Sequence, residues 1–117
     1  MTRWDIQLYE SLTGDQPVEK FILSLDIKAQ DKITRTFDHL EEFGQNLGSP
    51  HMKKLTGTNL WELRILGGDS IRIFYVTVTG KTFLLLHGFK KKTQKTPQRE
   101  IRIAEKRLHE YKNRKTT

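Results

Sequence analysis

Between residues 60 and 89 the apolar positions recur with a period of two. In 60–66, Trp61, Leu63 and Ile65 share one face, while Leu60, Glu62, Arg64 and Leu66 share the other. In 71–78, Ile71, Ile73 and Tyr75 oppose Arg72, Phe74 and Val76. The segment 82–89 (TFLLLHGF) is almost continuously apolar, as expected of a central strand covered on both faces. Gly67-Gly68-Asp69 and Gly80-Lys81 separate the three runs, and glycine suits the positive-φ positions of tight turns. The pattern predicts three consecutive antiparallel strands.

Upstream, Trp4, Ile6 and Leu8 alternate with polar neighbours and predict a further strand, an edge of or partner to the later ones. The period then becomes helical. Val18, Phe21, Ile22 and Leu25 form one apolar stripe behind Asp15, a candidate cap, and Pro17, which fits a first helical turn. Asp26 starts a second helix with Ala29, Ile33, Phe37 and Leu40 on one face, and Gly44 suits its end. The two predict a helical hairpin lying on the sheet. Residues 44–59 read as loop, anchored by Met52 and Leu55, with Lys53 and Lys54 pointing outward. Thr96 and Pro97 read as cap and first residue of a last helix, striped by Ile101, Ala104, Leu108 and Tyr111. The order is β-α-α-β-β-β-α. It predicts one α+β domain over 1–117: an antiparallel curved sheet with helices to one side.

Charge adds a direction to this picture. The net charge is +7, but residues 90–117 hold eleven Lys or Arg against Glu100, Glu105 and Glu110. That surplus of eight leaves the first 89 residues at −1. A basic tail of this kind favours a polyanionic partner. The absence of cysteine excludes disulfides, thiolate metal sites and a cysteine nucleophile, and fits a reducing cytoplasm. No apolar run reaches the roughly 20 residues that span a bilayer, and the first residues lack the apolar core of a secretory signal.

Two arginines interrupt apolar strands. A hairpin about Gly67-Gly68-Asp69 brings Arg64 and Arg72 together on one face, where they could grip a phosphate bidentately and stabilise charge developing on it. As ordinary cross-strand partners, Glu62 and Asp69 would neutralise them instead. His87 sits near the end of the last strand and titrates close to neutrality, so it could move a proton, although packing explains a lone strand histidine as well. Lys90, Lys91, Lys92 and Lys95 follow directly, as phosphate ligands or as solvated surface. Phe74, Tyr75 and Phe89 could stack on bases, but their spacing fits the core better. The chain has no Gly-rich phosphate loop, metalloprotease helix or serine elbow. Cationic chemistry on a phosphodiester remains open: RNA supplies its own nucleophile, the 2′-hydroxyl.

The segments LWELR (60–64), IRIFY (71–75) and LLHGFKKK (85–92), followed by TQKTP (93–97) and a basic helix, resemble the RelE/ParE toxin superfamily, closest to its HigB-like, phage-related branch. The resemblance covers nearly the whole chain. It implies a toxin of a type II toxin–antitoxin pair: a cytoplasmic endoribonuclease needing no metal or cofactor, cutting mRNA on the translating ribosome. Its partners would be that mRNA, the ribosome and a cognate antitoxin of helix-turn-helix type, through which alone it would meet operator DNA. Arg64 and Arg72 match arginines expected at the scissile phosphate, and His87 matches the motif histidine. Lys91 and Lys92 belong to a basic cluster expected to bind RNA and assist proton transfer. Lys53, Lys54, Lys90, Lys95 and Arg99 would bind RNA around them. Tyr111 is only a loose counterpart of the C-terminal tyrosine that some members use, and it is not carried over. A ParE-like toxin acting on DNA gyrase, or a non-catalytic module binding nucleic acid or antitoxin, is the alternative.

Overall fold

A computed structural model of the chain describes residues 3–68 and 70–115. The elements in order are β1 (Asp5–Leu8), α1 (Pro17–Leu23), α2 (Ile27–Phe43), a short 3-10 turn (Gly44–Leu47), β2 (Met52–Lys54), β3 (Trp61–Ile65), β4 (Ile71–Val78), β5 (Thr82–Lys90) and α3 (Gln98–Lys115). The five strands form one sheet in the order β1-β5-β4-β3-β2.

The three consecutive strands lie where the alternation places them. Three expectations are corrected. First, the segment expected to be loop contributes β2, a short edge strand antiparallel to β3. Three residues with one apolar position, Met52, are too few to show a period. Second, the sheet is mixed: β1 runs parallel to β5, pairing Asp5 with Thr82 and Leu8 with Leu85. Third, helices cover both faces. The α1–α2 hairpin packs Val18, Ala29, Ile33 and Leu40 on Leu63, Ile73, Tyr75 and Leu85. On the opposite face, α3 packs Ile101, Ala104, Leu108 and Tyr111 on Phe74, Val76, Leu84 and Leu86. A sheet whose strands are apolar on both sides needs two covers, and each helical unit has one stripe to offer. β5 is indeed doubly covered.

The local signals hold with two exceptions. Asp26 caps α2, its carboxylate accepting from the Ala29 N–H at 2.8 Å. Pro17 opens α1, but the residue before it is Gln16 and its side chain makes no capping bond; Asp15 faces the Lys20 ammonium instead. Gly44 ends α2 at φ +59°, where a Cβ would also lie 2.2 Å from Trp4 Nε1. At the last helix, α3 begins after Pro97, and the Thr96 hydroxyl bonds Glu62 rather than capping. Phe74, Tyr75 and Phe89 are core residues.

α3 is tied to the chain's other end. The Tyr9 hydroxyl donates to Glu110 at 2.5 Å, and the Arg107 and Arg114 guanidiniums each lie 5.9 Å from the Tyr9 ring centroid. Arg114 also donates to the Glu10 carbonyl at 2.9 Å. No helix among the described residues is long and apolar enough to cross a membrane.

Candidate functional site

The β3–β4 register sets Arg64 directly opposite Arg72, on the α3 face. Glu62 lies two residues before Arg64, so it shares that face, and only 1% of it is exposed. Its Oε1 accepts from Arg64 Nε at 3.1 Å and stands 3.3 Å from Arg72 Nε. The Arg72 contact is one of charge alone, because its geometry makes no hydrogen bond. One buried carboxylate therefore serves two guanidiniums and leaves the trio at +1. Removed from water, neither sign would be tolerated alone. Arg72 Nη1 donates to the Ile71 carbonyl at 3.1 Å, while Arg64 keeps 30% of its side chain in solvent. Of the two acids expected to neutralise the pair, Glu62 does so; Asp69 lies outside the described residues.

Beside this trio the chain leaves β5. The Lys91 N–H donates to the Ser70 carbonyl at 2.8 Å, pinning the start of the lysine segment to the β3–β4 turn. Arg72, Lys91, Lys92 and Gln94 line an open groove of about 440 Å³. The Thr96 hydroxyl reaches Glu62 Oε2 at 3.4 Å and ties the far end of the segment back to the buried acid. The two sheet arginines and the Thr96 end of the lysine segment thus share one carboxylate.

The other cations divide. Lys53 is paired opposite Glu62, exposed on the arginine face. Lys54 falls on the other face, opposite Trp61, with its ammonium on the Thr58 carbonyl, so it stands away from the arginines. Lys90 pairs opposite Ile71, on the hairpin side, and is exposed. Lys95 is exposed in the loop, and Arg99 projects from α3 with 77% of its side chain in solvent, 3.5 Å from Glu100.

His87 arrives on the arginine face by an irregularity. Simple alternation from Phe83 and Leu85 would turn it toward the hairpin. A register shift opposite Phe74/Tyr75 gives β5 one extra residue, and His87 pairs with Phe74. Its ring then stacks on Phe89, with centroids 5.7 Å apart. Both ring nitrogens are engaged. Arg107 Nη1 lies 3.1 Å from Nδ1 and donates to the Leu86 carbonyl at 2.8 Å; Nε2 meets Glu100 Oε1 at 2.7 Å. Arginine can only donate, so Nδ1 accepts and the proton sits on Nε2. Burial pushes the His87 pKa below the ordinary 6.5 and the Arg107 charge lowers it further, against the Glu100 hydrogen bond and charge, which raise it. The neutral ring is a clamp holding Glu100 and Arg107 of α3 to β5.

Glu62 was named from the sequence as a partner of the arginines, but other participants escaped it. Glu100 and Arg107 each lie one residue before a stripe position, Ile101 and Leu108, on a helix of many charges, and nothing singled them out. His51 had no signal: the Arg64 N–H donates to its carbonyl at 2.7 Å, and its Nδ1 is buried without a hydrogen-bond partner. The glycine of the HGF segment has a packing cause. A Cβ on Gly88 would lie 2.5 Å from Cδ2 of Phe21, whose ring from α1 rests on the strand there.

A mixed sheet wrapped by three helices, with a cationic end built on an arginine pair, defines a small α+β protein suited to an anionic partner. The family comparison is sharper. Residues 20–109 match the model of the phage-derived Gp49-like proteins (DUF891), and the chain belongs to that family. The family is of the RelE/ParE-like toxin type, associated with toxin–antitoxin systems. No curated protein matches the chain.

Proposed function

We propose that the chain is the toxin of a type II toxin–antitoxin pair, of the HigB-like kind, and that it cleaves mRNA without a metal, on translating ribosomes. The observation that carries this reading is the arginine pair opposed across β3 and β4 and held by one buried carboxylate beside the lysine groove. In the reaction, the 2′-oxygen forms a bond to phosphorus while the bond to the 5′-oxygen breaks. The 2′-hydroxyl gives up its proton and the departing 5′-oxygen gains one. Negative charge builds on the phosphoryl oxygens in between, and fixed guanidiniums stabilise it without reorganising. Arg64 and Arg72 take that role. Lys91 and Lys92 bind the phosphates and serve the proton transfers, with Lys53, Lys90, Lys95 and Arg99 guiding the strand around them and Lys54 on its outer flank. His87, with its lone pair and proton both engaged, positions α3 beside the site. A cytoplasmic antitoxin of helix-turn-helix type would neutralise the cationic end.

Induced expression of wild type beside Arg64→Ala, with mRNA 5′-ends mapped in the same cells, tests the reading. Growth arrest with new ends inside translated messages, absent from the variant, is the expected result. Arrest with messages intact would remove the ribonuclease and favour a gyrase-directed toxin.

A further inference from the structure

A second groove, of about 490 Å³, meets the lysine groove at Lys92 and Thr93. It runs along the side of β5, between Phe21 of α1 and Pro97 at the start of α3, with Gly88, Lys90 and Arg99 also on its lining. Its floor is a strand edge. β1 pairs β5 only over residues 82–85, and the Tyr9 N–H makes the last bond, to the Leu85 carbonyl. Beyond that point no strand among the described residues lies on this side of β5. Peptide groups alternate in direction along a strand. The Lys91 N–H bond to the Ser70 carbonyl fixes the phase of the β4 register, so Phe89 and His87 turn their peptide groups toward β4 and the N–H and C=O of Gly88 and Lys90 point into the groove.

Three features of this groove fit one ligand. The wall is a partly exposed aromatic ring, Phe21, which comes close to the strand because residue 88 has no side chain. The floor offers outward-facing backbone donors and acceptors over two positions. That is too short an edge for strand addition, but it matches the donor–acceptor edge of a base. The rim is cationic: Lys90, Lys92 and Arg99 outweigh Glu100, whose carboxylate is already engaged by His87. An adjoining phosphate groove completes what a nucleotide presents.

We propose that this groove is a nucleobase subsite, in which an unpaired base of single-stranded RNA stacks on Phe21 and meets the Gly88–Lys90 backbone while its neighbouring phosphate sits in the Arg72–Lys91–Lys92 groove. It rests on the ribonuclease reading and adds to it a source of sequence preference. Stacking is tolerant of base identity, whereas the backbone groups of the floor are not.

Binding of labelled 12-nucleotide single-stranded RNAs tests the subsite, with one base removed at each position in turn, for wild type, Phe21→Leu and Phe21→Trp. Wild type is expected to bind the RNA lacking one particular base roughly tenfold more weakly than the intact strand. Phe21→Leu keeps an apolar side chain under the hairpin, and it should lose that discrimination while its salt dependence stays that of wild type. Phe21→Trp should restore it. Wild type binding every abasic RNA like the intact strand overturns the subsite without any variant having to fold. If an acidic peptide protects the Gly88 and Lys90 amides while abasic RNAs bind normally, the groove belongs to a protein partner and the subsite is again overturned. Failure of wild type to bind any RNA at low salt also overturns the subsite, while the ribonuclease reading stands or falls separately on the mapped mRNA ends.

Discussion

Glu62 is the residue on which the cationic end depends. A carboxylate with 1% exposure survives in a sheet only because two guanidiniums and a hydroxyl surround it. Glu62→Gln keeps the shape and removes the charge, leaving two half-buried cations facing an amide. We expect a loss of about 2–3 kcal/mol in stability by urea denaturation, scaled from broken buried ion pairs, and a larger loss of RNA cleavage than of fold. If cleavage falls only in proportion to the folded fraction, Glu62 is no more than a structural counter-charge. His87 makes a prediction in pH. Its folded pKa is depressed, so the unfolded chain takes up a proton first as pH falls. The stability it contributes is complete above about 6.5 and is lost as pH drops from there toward the folded value. Thermal melts between pH 7.5 and 5 should show this loss in wild type, and His87→Gln should flatten it; equal slopes would show that the Glu100–Arg107 clamp does not depend on a neutral ring.

At the scale of elements, the covers decide more than the strands. Gly88 is a point of β5 that α1 approaches closely through Phe21, and a Cβ there meets that ring at 2.5 Å. Gly88→Ala should cost roughly 1–3 kcal/mol through a displaced α1, read as a lowered urea midpoint with unchanged slope. An unchanged midpoint would mean that the ring moves aside freely. The strands, the two long helices and their buried stripes were legible in the sequence because each repeats its period over several turns or pleats. β2 was not, since three residues carry no period. The parallel pairing of β1 was not, since alternation fixes faces but says nothing of direction. The side of His87 was not, because one extra residue in β5 inverts parity from there on, and nothing in LLHGF marks it. The arginine pair was legible because a tight turn fixes the register on both sides of it.

For the molecule as a whole, charge and topology act together. Five of the eleven cations of residues 90–117, namely Lys90, Lys91, Lys92, Lys95 and Arg99, lie at the end of β5 and in the lysine segment and first turn of α3 that follow it from the sheet end where Arg64 and Arg72 stand. Binding to single-stranded RNA should weaken steeply with salt. Removing two phosphate contacts with Lys91→Ala and Lys92→Ala together should lower the log–log salt slope by about 1.4, at about 0.7 per contact. An unchanged slope would place these lysines outside the RNA path.

The parallel pairing of β1 with β5 also sets an order in time. Residues 5–8 can find their partner only after residues 82–85 have been synthesised, and a contact so distant in the chain closes late. The arginine hairpin forms from neighbours and can be present early, but Lys91, Lys92 and Thr96 follow the last strand out. A chain still being made therefore carries half a site. The end that would grip a phosphate is assembled only once residues 91–96 have followed β5 out, well after the arginine hairpin can form.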